Sequence, residues 1–169
     1  MKVNTQVYLR ISELKGDPGS NTARGRLLTY KELVLLLDSC ADDINAALGD
    51  RDAALLALLA SVGLRTNEIV KLNVTDYSPS TKSLHAHGVG SKERQHKVSD
   101  TGARRALLAW LKRRGSTPGR FLCPVNKEGK VILKEMSATG IYKAVRLRAS
   151  KAGVVAFSPT DLRQTFASD

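Results

Sequence analysis

Apolar positions along the chain fall into blocks whose spacing changes from helical to alternating and back. Leu28-Thr29-Tyr30-Lys31-Glu32-Leu33 reads as a helix start, with Thr29 at the N-cap and Glu32 completing a capping box three residues later. The helix from Tyr30 to Ser39 puts Leu33, Val34, Leu36 and Leu37 on its buried side. A second helix, from about Asp50 to Val62, is apolar almost all round, as befits an element central to a core. Gly63 stops it, and Thr66 can cap a short third helix through Leu72.

The period then becomes two. Ser83 to Gly88 and Arg94 to Val98 flank Val89-Gly90-Ser91-Lys92-Glu93, which predicts a β-hairpin. Helical spacing returns over Thr101 to Arg114, with Ala103, Leu107, Leu108, Trp110 and Leu111 inward and Arg104, Arg105, Lys112, Arg113 and Arg114 outward. Ser137 to Ala152 predicts another basic helix, and Ser158-Pro159 the capped start of a last one. Earlier, Val7, Leu9, Ile11 and Leu14 suggest a helix end, broken by Gly16-Asp17-Pro18-Gly19-Ser20-Asn21. Residues 1–26 therefore read as the tail of a preceding domain plus a tether made basic by Arg24 and Arg26. Residues 27–169 read as one domain, mainly α with a small antiparallel β-sheet.

Charge narrows the class. Twenty-seven Lys and Arg against sixteen Asp and Glu give a net +11, which favours an anionic partner, nucleic acid first. Cys40 and Cys123 stand far apart without metal-ligand spacing, as buried free thiols of a reducing compartment do, although a single disulfide stays open. The N-terminal residues lack the apolar stretch of a signal peptide, and Ala53 to Leu64 is too short to span a membrane. A cytoplasmic protein without membrane contact is expected.

Three stretches carry chemistry. Ser61-Val62-Gly63-Leu64-Arg65-Thr66-Asn67-Glu68-Ile69 sets an arginine in a tight turn, where its planar fork can face a phosphate or pair with Glu68. Gly88-Val89-Gly90-Ser91-Lys92-Glu93-Arg94 offers a glycine turn with cationic residues. Phe157-Ser158-Pro159-Thr160-Asp161-Leu162-Arg163-Gln164-Thr165-Phe166-Ala167 places a second arginine near a helix start.

In this order the three stretches closely resemble the catalytic domain of the tyrosine recombinase (phage integrase) family, from about Leu28 to Asp169. The helix with Trp110 and Phe121-Leu122-Cys123-Pro124 sit where that family has a helix and a following strand, and residues 1–26 resemble the exit from its core-binding domain. The resemblance implies the DNA breaking-rejoining fold and site-specific recombination through a phosphotyrosine intermediate, with no cofactor. It further implies duplex DNA and other copies of the chain as partners. Arg65 matches the first phosphate-clamping arginine and Arg163 the second; Lys92 matches a second lysine of the hairpin motif, either replacing the catalytic one or contacting DNA. Arg24, Arg26, Arg94, Lys97 and Thr160 are expected to contact DNA, with Arg146 and Arg148 as further phosphate contacts.

Departures from the family pattern matter. Val89 stands where the family usually carries the hairpin lysine, and Thr160 and Gln164 where histidines are frequent. Threonine can bond a phosphate oxygen but carries protons poorly near neutral pH. Tyr8, Tyr30, Tyr77 and Tyr142 match none of the family's nucleophile context, so the sequence reads as a catalytic domain that stops short of its nucleophile. A degenerate module that binds DNA without cutting it is the alternative, and a basic structural or protein-interaction domain a further one. A hairpin register setting His96 opposite His85 and beside His87 would gather three imidazoles for zinc, but no carboxylate second shell is evident and no metal is expected. These 169 residues are expected to form no covalent adduct with a nicked duplex, a result that a denaturing gel reads directly.

Overall fold

The computed structural model describes residues 25–88 and 93–167. The expected helix end within Thr5 to Leu14, the break that follows it, Arg24 and the turn from Val89 to Lys92 lie outside these residues.

The first helix, α1 (Tyr30–Ala41), starts where the capping box predicts, with the Thr29 N–H donating to the Glu32 carboxylate at 2.8 Å. The second, α2 (Ala46–Ala60), starts four residues before the expected Asp50, because the Asn45 side chain accepts from the Leu48 N–H at 3.1 Å. Gly49 belongs to this helix: a Cβ there would stand 2.2 Å from the Cys40 carbonyl oxygen, so only glycine permits the close approach of α1 and α2. A short α3 (Thr66–Lys71) follows, with Arg65 and not Thr66 at its N-cap.

Next comes a three-stranded antiparallel sheet in the order β1 (Tyr77–Ser78), β2 (Ser83–His87), β3 (Glu93–Lys97). The two-residue β1 was not expected. β2 and β3 form the expected hairpin, but His85 pairs with Gln95, and His96 pairs with Leu84. Side chains alternate faces, so His96 lies on the opposite face from His85 and His87, and the three-imidazole arrangement does not form. His87 instead bonds Asp76 at 2.9 Å, which raises its pKa.

The longer helices α4 (Thr101–Arg114), α5 (Ala138–Ala152) and α6 (Pro159–Ala167) complete the domain. The expected strand at Phe121 to Cys123 is an irregular segment with all three residues buried, held where the Trp110 indole N–H donates to the Phe121 carbonyl at 2.7 Å. Helix α2 packs against α1, α4, α5 and α6, so its nearly all-apolar surface has helices to cover it.

Three assignments are corrected, one inward and two outward. Leu108 is exposed and Ala106 takes the buried position. Arg114 is buried, its guanidinium donating to the carbonyls of Gly115, Thr117 and Arg120 beyond the end of α4. Arg148, expected on DNA, is 0% exposed. Its Nε donates to Asp52 at 2.7 Å, one Nη to Asp43 at 2.6 Å and the other to the Ser39 carbonyl at 2.7 Å. Arg51 meets the second oxygen of Asp52 at 2.6 Å, and Lys151 reaches Asp43 at 2.7 Å. Both cysteines are buried and free, and burial pushes the Cys40 thiol up to about 12.

Removing one partner of a buried ion pair strands the other charge. Arg148→Ala is expected to cost about 3–5 kcal/mol in urea unfolding. Arg113→Ala, which breaks a partly exposed pair with Asp50, should cost under about 1 kcal/mol. Equal losses would show that the buried network does not hold the helices.

Candidate functional site

The turn that ends α2 is built to hold one residue still. Gly63 takes a positive φ of 74°, which a side chain would resist, and the Leu64 amide returns to the Leu58 carbonyl at 3.0 Å. Leu64 and Ile69, both buried, pin the turn on either side of Arg65. The Arg65 backbone N–H donates to the Glu68 carboxylate at 2.7 Å. Its guanidinium is exposed and forms no hydrogen bond with the described residues.

Glu68 is the pivot of this turn. Its other oxygen accepts from Arg94 of β3, so the side-chain pairing expected with Arg65 is made by Arg94 instead. Burial alone would raise the Glu68 pKa, but the Arg65 N–H and the Arg94 guanidinium outweigh it and hold the carboxyl below its usual range. Arg94 and His96 alternate onto the inner face of β3 with Leu84 and Ala86 of β2. The Nε2 of His96 is buried there without a hydrogen-bond partner among the described residues. The alternation of the strand was visible in the sequence, but only the register shows that His96 faces inward.

Helix α6 brings the second arginine. A reciprocal cap starts it: the Ser158 N–H donates to Asp161 at 2.7 Å, and the Asp161 N–H to the Ser158 hydroxyl at 3.2 Å. Leu162, fully buried, seats the helix. Arg163, one residue on, donates through Nε to the Gly63 carbonyl at 3.0 Å, across 100 residues of sequence. Its two terminal nitrogens have no partner among the described residues. Two cationic forks thus share one turn, Arg65 extending from it and Arg163 tied to it.

The other candidate positions divide. Thr160 is exposed in the first turn of α6, and Lys97 is exposed at the end of β3. Arg26 is occupied within the fold: it meets Glu32 at 2.9 Å, donates to the Val155 carbonyl at 2.6 Å and lies 6.0 Å from the Phe157 ring centroid. Those contacts leave it poorly placed to reach DNA. Arg24 and Lys92 lie outside the described residues. Arg146 is exposed and lies over the Tyr142 ring at 5.9 Å. No cluster of three or more His, Cys, Asp or Glu able to hold a metal occurs among the described residues. No described helix is long and apolar enough to cross a membrane.

Comparison with known proteins gives a consistent result. The sequence model described as "Phage integrase family" matches residues 26–169. Tyrosine recombinase XerC of Stutzerimonas stutzeri (strain A1501) is 35% identical over 147 residues, which cover 85% of this chain and 46% of that protein. The crystal structure of XerA recombinase has a TM-score of 0.70 at 20% identity, covering 89% of this chain and 50% of that one. XerH site-specific recombinase, bound to a palindromic difH substrate in a post-cleavage complex, has a TM-score of 0.61 at 24% identity over 91% of this chain and 45% of that one. The chain thus spans about half the length of these relatives.

Glu68→Gln keeps the shape of the latch and removes its charge. The substitution is expected to cost about 1–3 kcal/mol near neutral pH, because it weakens bonds to a charged acceptor. A group whose folded pKa is depressed stabilises the fold above its unfolded pKa, about 4.3 for glutamate. The gap between the wild type and Glu68→Gln should therefore close as pH falls through the lowered pKa. Thermal melts at neutral pH and near pH 3 measure it.

Proposed function

The chain belongs to the phage integrase family, and from that membership we propose that residues 27–169 are catalytic-domain sequence of a tyrosine-type site-specific recombinase. Such an enzyme integrates or recombines duplex DNA by breaking and rejoining strands. Residues 1–26 are then the tail of a core-binding domain and its tether. The protein acts in the cytoplasm, on double-stranded DNA, with further copies of itself assembled on that DNA. The XerH relative, a recombinase bound to its substrate, supports the choice of partner.

The observation that carries this reading is the bond from Arg163 Nε to the Gly63 carbonyl. It leaves the open end of one guanidinium beside the turn that extends the other. Phosphoryl transfer concentrates negative charge on the non-bridging oxygens, and rigid cationic donors stabilise that charge without reorganising. Arg65 and Arg163 clamp the scissile phosphate and neutralise it as the phosphorane-like transition state forms. Thr160 donates a hydrogen bond to a phosphate oxygen from the start of α6. Lys92 acts at the hairpin, either moving a proton or gripping the strand, and Lys97 and Arg24 meet the DNA backbone. Arg94 stays on Glu68 and steadies the Arg65 turn from the sheet.

Arg65→Ala and Arg163→Ala, each made in a natural form of the protein long enough to carry the family's nucleophilic tyrosine, are expected to lower strand cleavage at least about 10³-fold. Duplex affinity should fall less than about tenfold. Equal losses in cleavage and binding would mean that the arginines only grip the backbone. The non-catalytic DNA-binding reading, which Val89 and Thr160 also fit, would then replace this one.

A further inference from the structure

We propose that His96 is a positioning residue for the Arg65 turn: uncharged, it leaves Arg94 latched to Glu68, and protonated, it releases that latch. Geometry carries the argument. Arg94 and His96 are two residues apart on β3, so they project from the same face. That face is the inner one, because the residues paired with them, Ala86 and Leu84, are fully buried. Neither β2 residue can accept a proton or balance a charge. Among the described residues, the charged groups acting on His96 are Arg94 from its own strand and Glu68 from α3.

The imidazole is placed as a neutral group. Its Nε2 is cut off from solvent and has no hydrogen-bond partner among the described residues. An imidazolium there would set a buried cation beside the partly exposed Arg94 guanidinium, with Glu68 as the balancing charge among the described residues. Glu68 has one oxygen on the Arg65 N–H and the other on Arg94. A second cation competes for the oxygen that Arg94 uses. Burial and the Arg94 charge accordingly hold the pKa of His96 below the usual histidine value.

The consequence has a definite sign. A histidine with a depressed folded pKa stabilises its native setting above its unfolded pKa, about 6.5, and withdraws that stability as pH falls below it. Acidification through the lowered His96 pKa therefore loosens the hairpin-to-α3 latch. The order of the Arg65 turn, and through it the grip on an anion, depends on the proton at His96.

Nuclear magnetic resonance of the chain tests this without DNA. The His96 imidazole should titrate below about 6.5, and the Arg65 amide proton, which reports the bond to Glu68, should shift with the same midpoint. His96→Gln, a permanently neutral side chain, should hold the amide at its high-pH position throughout. His96→Lys should hold it at the low-pH position. An Arg65 amide that stays still while His96 titrates overturns the proposal, and this arm needs no variant to fold.

A second arm rests on the recombinase reading. Affinity for a short duplex, relative to His96→Gln, should fall up to about tenfold per pH unit below the His96 midpoint. Parallel pH profiles for the wild type and His96→Gln would overturn the functional role of the latch. Failure of both proteins to bind duplex at any pH would refute the recombinase reading, and the amide titration would still decide the positioning role.

Discussion

A guanidinium wholly withdrawn from water organises this domain. Arg148 of α5 spends its hydrogen bonds on Asp52 of α2, Asp43 of the connection before α2, and the Ser39 carbonyl of α1. Each ion would be costly alone in the core, and together they are tolerable only in one relative placement of three helices. Both arginines of the candidate site descend from that placement. Helix α2, fixed near its start, delivers the Gly63 turn and Arg65 at its end. Helix α5, fixed near its end, leads through Gly153 and the buried Phe157 into α6 and Arg163.

The apolar pattern made most of the fold legible, because helices that bury one face must repeat every three or four residues. What it missed were positions where a residue's usual habit was overruled. Arg148 and Arg114 were read as solvent-facing by charge. Yet Arg148 continues the stripe of Ile141, Ala144 and Val145, and Arg114 that of Ala103, Leu107 and Trp110. Their position, taken before their charge, would have marked both as inward. Gly49 lowers the helical signal in the first turns of α2, and its purpose, contact with the Cys40 carbonyl, exists only in three dimensions. The hairpin register slipped because two alternating strands can pair one residue out of step with equal apparent alternation.

The candidate site was legible as an ordered set of motifs rather than as geometry. Arg65, Glu68 and Arg163 could be named from sequence, but the partner of Glu68 could not. A helix-start glutamate three residues after an arginine invites a local pair, whereas the folded chain gives Glu68 the Arg65 backbone and a guanidinium from the sheet. Long-range partners of this kind depend on register and packing, which spacing along the chain does not encode. His96 entered the sequence reading only as a possible metal ligand, since nothing local distinguishes an inward from an outward histidine on a short polar strand.

The segment entering the domain is riveted to the helix that carries Arg163. Gly25, at a φ of 62°, lies so close to α6 that a Cβ there would stand 2.0 Å from an Asp161 oxygen. The Leu28 amide donates to the Thr165 hydroxyl at 3.0 Å, which in turn donates to the Asp161 carbonyl at 3.0 Å. Arg26 clamps the same strip of chain to Val155 and Phe157. The strip from Gly25 to Leu28 therefore touches α6 directly, and Leu28 joins it to the core. The entering segment and the helix of Arg163 are thus bonded to each other, and Arg163 is bonded in turn to the Gly63 carbonyl.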